Sequence, residues 1–184
     1  MKELKTRDRK QESKKWSPTE LLIIALISHG FVPTLYALQK ETLLSPGALV
    51  PALAKLKEKG LLVEVGEPGP RNRLQLRVPQ AVLKKIDDEW RSTAPDYIEN
   101  CDAVLKLCKA AEIVDMQEAV KYANEAIELR VEKLRKYRNK AGEIVAPKPD
   151  YRSYLSYREV AEFYRLQAEE QTLRAILGAL KTDE

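Results

Sequence analysis

Seven consecutive apolar residues, Leu21 to Ile27 (LLIIALI), stand directly behind Ser17-Pro18-Thr19-Glu20. The tetrapeptide is a capping box with proline at the first helical position, so the run reads as a helix. Apolar side chains go almost all the way round this helix, and it must be covered on most sides. Seven residues fall far short of the ~20 that cross a bilayer, and the capping residues in front are unlike a signal-peptide flank. The expectation is a core built around this helix and, with no export signal, a cytoplasmic protein without a membrane partner.

The residues that follow are punctuated as clearly. His29-Gly30 ends the first helix, and a second is expected from about Pro33 to Thr42 with Leu35, Tyr36 and Leu38 facing inwards. A third begins at Ser45 as cap with Pro46 behind it, carries Ala48, Leu49, Leu53 and Leu56, and stops at Gly60. Leu61 to Val65 and Leu74 to Val78 read as two short strands, and Gly66 to Arg73 as the hairpin tip between them. This is the element order of a winged helix-turn-helix domain. Pro79 to Arg91 adds an amphipathic helix with Val82, Leu83, Ile86 and Trp90 on its apolar side, and Thr93-Ala94-Pro95-Asp96 marks a domain boundary.

Beyond that break the pattern changes to long helices. Ile113, Met116, Val120, Ala123, Ile127 and Leu134 follow a three-four spacing, the seam of a helix packed on another helix. Asn139 to Asp150 is a loop rich in Gly and Pro. A last helix is expected from about Tyr151 to Lys181, with Leu155, Val160, Tyr164, Ala168, Leu173, Ile176 and Leu180 buried. Such a hairpin buries its seam poorly alone, so it either wraps the first domain or pairs with a second copy. Pairing is the expectation, through Val120, Ile127, Leu134, Tyr164, Leu173, Ile176 and Leu180. The predicted fold class is mostly α with a small β-hairpin. It comprises a flexible basic arm over 1–15, a winged helix-turn-helix domain over 16–92 and a helical dimerisation region over 93–184.

Charge adds a direction. Residues 1–16 hold seven Lys/Arg against three acids, residues 17–92 ten against eight, and residues 93–184 fifteen against seventeen. The excess of cations at the N-terminal end favours a polyanionic partner there. The arm is either a solubilising tail or a basic strand that tracks phosphates.

The run Leu44-Ser45-Pro46-Gly47-Ala48-Leu49-Val50-Pro51-Ala52-Leu53, followed by Leu56 and Lys59-Gly60-Leu61, resembles the recognition-helix signature of the PadR-like transcriptional regulators. Gly69-Pro70-Arg71-Asn72-Arg73-Leu74 resembles that family's wing. The likeness covers roughly residues 19–90, and more loosely the helical C-terminal half. It implies a homodimeric cytoplasmic repressor that binds a double-stranded DNA operator and often answers to a small-molecule effector. Where many members carry hydroxyl side chains after Ser-Pro-Gly, Ala48 and Val50 offer apolar contact alone, for example to a thymine methyl.

A DNA reader of this kind would place Ser45, Gly47, Ala48 and Leu49 at the major groove, with Lys40 and Lys55 flanking it and Arg71, Asn72 and Arg73 on the wing. Lys57 and Lys59, near the third helix's C-terminus, read as structural. The rival is an interaction module in which Ala48, Leu49 and Val50 meet another protein. Trp16, Trp90, Tyr157 and Tyr164 could line a pocket for a small aromatic effector. His29, the sole histidine, reads as a helix cap, and Cys101 and Cys108 as reduced thiols in a helix core. No catalytic constellation, metal set or cofactor is expected.

Overall fold

The computed structural model describes residues 15–29, 34–65, 76–150 and 152–182. Most of the expected arm, and the hairpin tip with Arg71, Asn72 and Arg73, lie outside the described residues. The fold is mostly helical, with one two-stranded antiparallel hairpin and a long C-terminal helix. No described helix is long and apolar enough to cross a membrane.

Helix α1 (Pro18–Ser28) has the expected capping box. The Glu20 N–H donates to Ser17 Oγ at 3.3 Å, and the Ser17 N–H donates to Glu20 Oε2 at 2.8 Å. Every residue from Leu21 to Ile27 is buried. At about 1.5–3 kcal/mol for each fully buried Leu or Ile, this helix is the largest local contributor to the core. Helix α2 (Leu35–Thr42) starts where the Thr34 hydroxyl accepts from the Ala37 N–H and ends at Leu43, which adopts a left-handed conformation with φ 55°. Leu38 is buried, whereas Tyr36, expected inside, is 75% exposed. Two residues from Leu38, it lies about 200° round the helix, on the solvent side.

Helix α3 (Pro46–Glu58) buries Leu49, Leu53 and Leu56, and Gly60 at φ 67° reverses the chain behind it. Strands β1 (Val63–Glu64) and β2 (Leu76–Arg77) pair in the register Val63↔Arg77 and Glu64↔Leu76. Strand β1 is shorter than the expected Leu61 to Val65. The helix expected over Pro79 to Arg91 is two helices, α4 (Gln80–Leu83) and α5 (Ile86–Thr93), with a turn at Lys84-Lys85. The turn lets Val82, Ile86 and Trp90 all reach the core.

A 3-10 turn at Ala94–Tyr97 occupies the expected boundary, and it is packed rather than open. The Thr93 hydroxyl, fully buried, donates to the Trp16 carbonyl at 3.1 Å, and the Tyr122 hydroxyl donates to the Ala94 carbonyl at 2.8 Å. One continuous set of buried side chains runs from Trp16 through to Leu180.

Helices α6 (Cys101–Val114) and α7 (Met116–Leu134) divide the expected single seam at Asp115, whose carboxylate accepts from the N–H groups of Gln117 and Glu118. Helix α8 (Tyr154–Thr182) returns along α7, while α6 packs between α7 and α1. The long helices therefore wrap onto the N-terminal half instead of leaving a bare seam. Ile127, Leu134, Leu173 and Leu180, expected to meet a second copy, are buried in the chain's own core, and Val120 and Ile176 are half-buried against it. On α8 Leu173 and Leu180 are buried as expected, and the departure is confined to its first half. Phe163 and Leu166 go in beside Leu134, while Tyr164 (56% exposed) and Leu155 (67%) face out.

Helices α7 and α8 and the turn ahead of α6 meet at one cation. Arg130 on α7 is 1% exposed, and its guanidinium donates to the carbonyls of Ile98 (2.5 Å), Glu99 (3.2 Å) and Ala126 (3.2 Å) and to Glu169 of α8 (3.2 Å). Removing one partner of such a pair leaves an uncompensated buried charge or orphaned carbonyls. Arg130→Ala is expected to cost about 3–5 kcal/mol in urea unfolding, and an effect below about 1 kcal/mol would rule out this clamp.

Candidate nucleic-acid interface

The residues expected to read DNA sit on and around α3. Ser45, Gly47, Ala48 and Lys40 are exposed, and Lys40 makes no ion pair with a described residue. A Cβ added at Gly47 would meet nothing within 4 Å, so no packing contact demands glycine there. Ser45 forms no side-chain cap, and Ala48 and Leu49 both direct their N–H groups at the Ser45 carbonyl.

Leu49 is a correction. It is fully buried, one turn before Leu53 on the inward face of α3. Both functional readings of this helix therefore rest on Ala48 and Val50 without it. Lys55 is half-committed as well: its Nζ lies 3.7 Å from Glu20 Oε1, with more than half of the side chain exposed.

Glu20 is the residue that sequence reasoning missed as a positioning group. Beyond capping α1 it accepts from Lys59 Nζ at 2.5 Å, which ties the C-terminal end of α3 to the start of α1. Lys57 pairs with Glu64 of β1 at 2.6 Å, so the same end of α3 is also fastened to the hairpin. Burial alone would raise the Glu20 carboxyl. The hydrogen bonds from Lys59 and from the Ser17 N–H, with the charges of Lys59 and Lys55, outweigh it and hold the group below its usual value.

The corner between α2 and α3 exposes three large apolar residues among Lys40, Glu41 and Ser45. Leu43 is 89% exposed, and Tyr36 and Val50 are exposed beside it in sequence order on α2 and α3. A left-handed leucine is the signal that only the backbone reveals, since glycine or asparagine is the usual occupant of that conformation.

The four residues expected to line an effector pocket do not converge. The Trp16 and Trp90 rings are buried, and Trp90 donates from Nε1 to the Leu107 carbonyl at 2.9 Å while standing edge-on to Tyr122 at 5.4 Å. Tyr157 and Tyr164 lie on the outer part of α8. A groove of about 310 Å³ does open beside Trp90, but Arg91, Pro95, Glu118, Lys121 and Tyr122 form its other walls. Arg91 crosses it to Glu118 at 2.6 Å.

His29 follows α1 and directs its backbone N–H to the Ala25 carbonyl. No group of three or more His, Cys, Asp or Glu suited to a metal occurs among the described residues. Both cysteines are free thiols. Burial pushes Cys108 up to about 12, and burial together with Glu169 raises Cys101. This is the opposite of an activated thiolate.

Comparison with family models, with curated proteins and with solved structures returns no match.

Two outcomes follow. A carboxylate with a lowered folded pKa stabilises above its unfolded value and loses that contribution as pH falls through the folded one. Wild-type stability should therefore drop as pH falls below about 4.3, and Glu20→Gln should lack that component in acid titrations followed by circular dichroism. At pH 8, Cys108 should resist a thiol reagent until denaturant is added; fast labelling of the folded Cys101→Ser variant would contradict its burial.

Proposed function

We propose that the chain is a DNA-binding transcriptional regulator of the PadR-like, winged helix-turn-helix kind, acting as a repressor on a double-stranded operator. The observation that carries this reading is the way α3 is held. Its inward face and C-terminal end are fixed by Leu49, Leu53, Leu56, Lys57 and Lys59, while Ser45, Gly47 and Ala48 at its N-terminal end stay open to solvent. The antiparallel β1–β2 pair follows immediately, in the position of a wing. Helix α3 would enter the major groove, Lys40 would meet a phosphate, and the wing residues Arg71 and Arg73 would grip the adjacent backbone. A homodimer remains part of the reading. Its seam lies outside Ile127, Leu134, Leu173 and Leu180, and half-site spacing of about 34–36 Å would follow from two-fold symmetry. A small-molecule effector would then act on that spacing.

A second reading has its own observation. Tyr36, Leu43 and Val50 expose apolar surface around the α2–α3 corner, which suits a protein partner. Salt separates the two. Binding to promoter duplex should weaken by orders of magnitude between about 50 and about 200 mM salt, and Lys40→Ala should lower the salt slope by about one. The double change Arg71→Ala with Arg73→Ala should remove most binding. No affinity for promoter duplex at low salt would sink the DNA reading and leave the apolar corner as the functional surface.

A further inference from the structure

The C-terminal half carries a small net negative charge, which hides a local concentration of the opposite sign. Residues 135–158 contain seven Lys/Arg and two acids. The structure folds this segment into one end of the molecule, where the loop after α7 closes against the first turns of α8. Arg138 bridges Ile144, the Val145 N–H donates to the Tyr137 carbonyl at 3.1 Å, and the Asp150 N–H donates to Ser156 Oγ at 2.7 Å. The Tyr137 ring stands edge-on to Phe163 of α8 at 5.2 Å.

The cations divide into two groups. Arg135 is paired with Glu132 and Lys136 with Glu162. Arg138, Lys140, Lys148, Arg152 and Arg158 are exposed and pair with no carboxylate of a described residue. Among them Tyr154 is 77% exposed, and Tyr157, Leu155, Ile144 and Val145 are exposed as well. Tyr154 and Tyr157 share a face of α8 with about 4.5 Å of helix rise between them. Cations without a described carboxylate partner and an outward tyrosine ring, Tyr154, on the same segment are the two components that hold a single nucleic-acid strand, the cations along phosphates and the ring against a base face.

We propose that this basic, tyrosine-bearing tip binds single-stranded nucleic acid, as a contact separate from the α3 face. A duplex would use only the cations, because its base faces are stacked away from the rings. A bilayer would ask for a broader apolar face. The exposed rings here carry hydroxyl groups, and Glu143, Asp150 and Glu159 interrupt the aliphatic surface. Tyr154 and Arg158 are the residues on which the site turns, with Arg152 and Arg138 extending the phosphate track.

The test uses the full chain and fluorescence anisotropy with labelled 12-nucleotide strands of deoxythymidine and of uridine, beside a duplex of equal length and vesicles of mixed neutral and anionic phospholipid. Single strands should bind at low salt. The double change Arg152→Glu with Arg158→Glu should weaken them at least about tenfold, and Tyr154→Ala at least about fivefold. All three positions are exposed, so circular dichroism of the variants should match the wild type. Absence of single-strand binding, or binding that these changes leave untouched, overturns the proposal. So does vesicle binding that the charge reversal abolishes while single strands stay free. Promoter duplex binding is measured in parallel on the Arg152→Glu, Arg158→Glu variant, in which two of the tip's cations are reversed, so failure of either site is seen separately.

Discussion

A helix without a polar face has to be covered on every side, and α1 imposes that demand on the whole chain. Helices α2 and α5 and strand β2 cover it from the N-terminal half, and α6 from the C-terminal half. The cover cannot be supplied by residues 16–92 alone, which is why the long helices come back onto the first part instead of projecting from it. Glu20, the one charge on α1, sits at its edge and converts that edge into an attachment for α3. The exposed end of α3 is thus set by a chain of contacts that begins in the core.

What could be read from the sequence was whatever local chemistry decides. The capping box at Ser17 and Glu20 and the glycine stop at Gly60 follow from backbone hydrogen bonding and backbone conformation, and both are present. Less legible were choices that depend on what lies opposite. Leu49 reads equally well as a buried or an outward residue until α3 is docked. Tyr164 and Phe163 are neighbours of similar hydrophobicity, and only the position of Leu134 decides which one is buried. The seam of α7 was expected to need a second copy because α6 was not credited with covering it. Asp115 with Glu118 three residues on is a local start signal for α7, but it does not say where α6 packs. The candidate interface was legible in its small residues and cations, but not in Leu43, whose exposure follows from a left-handed backbone.

Buried polar groups show the same division of labour. Trp90, Tyr122 and Thr93 each spend their polar atom on a main-chain carbonyl, and no buried side-chain nitrogen or oxygen among the described residues lacks a partner. These bonds converge on the stretch between α5 and α6, which joins the two halves. The joint is stiffened where composition suggested a break.

Arg130 sets a rule for how α8 can move. Its guanidinium is shared among the turn at Ile98-Glu99, helix α7 and Glu169 of α8, and Glu169 is held in turn by Arg165. Sliding α8 along α7 by one helical turn, about 5.4 Å, would carry Glu169 away and strand a positive charge in an apolar interior. A ratchet between these helices is therefore closed to this fold. Any movement of α8 against the rest of the chain is expected to keep the α7–α8 register, with Glu169 still on Arg130.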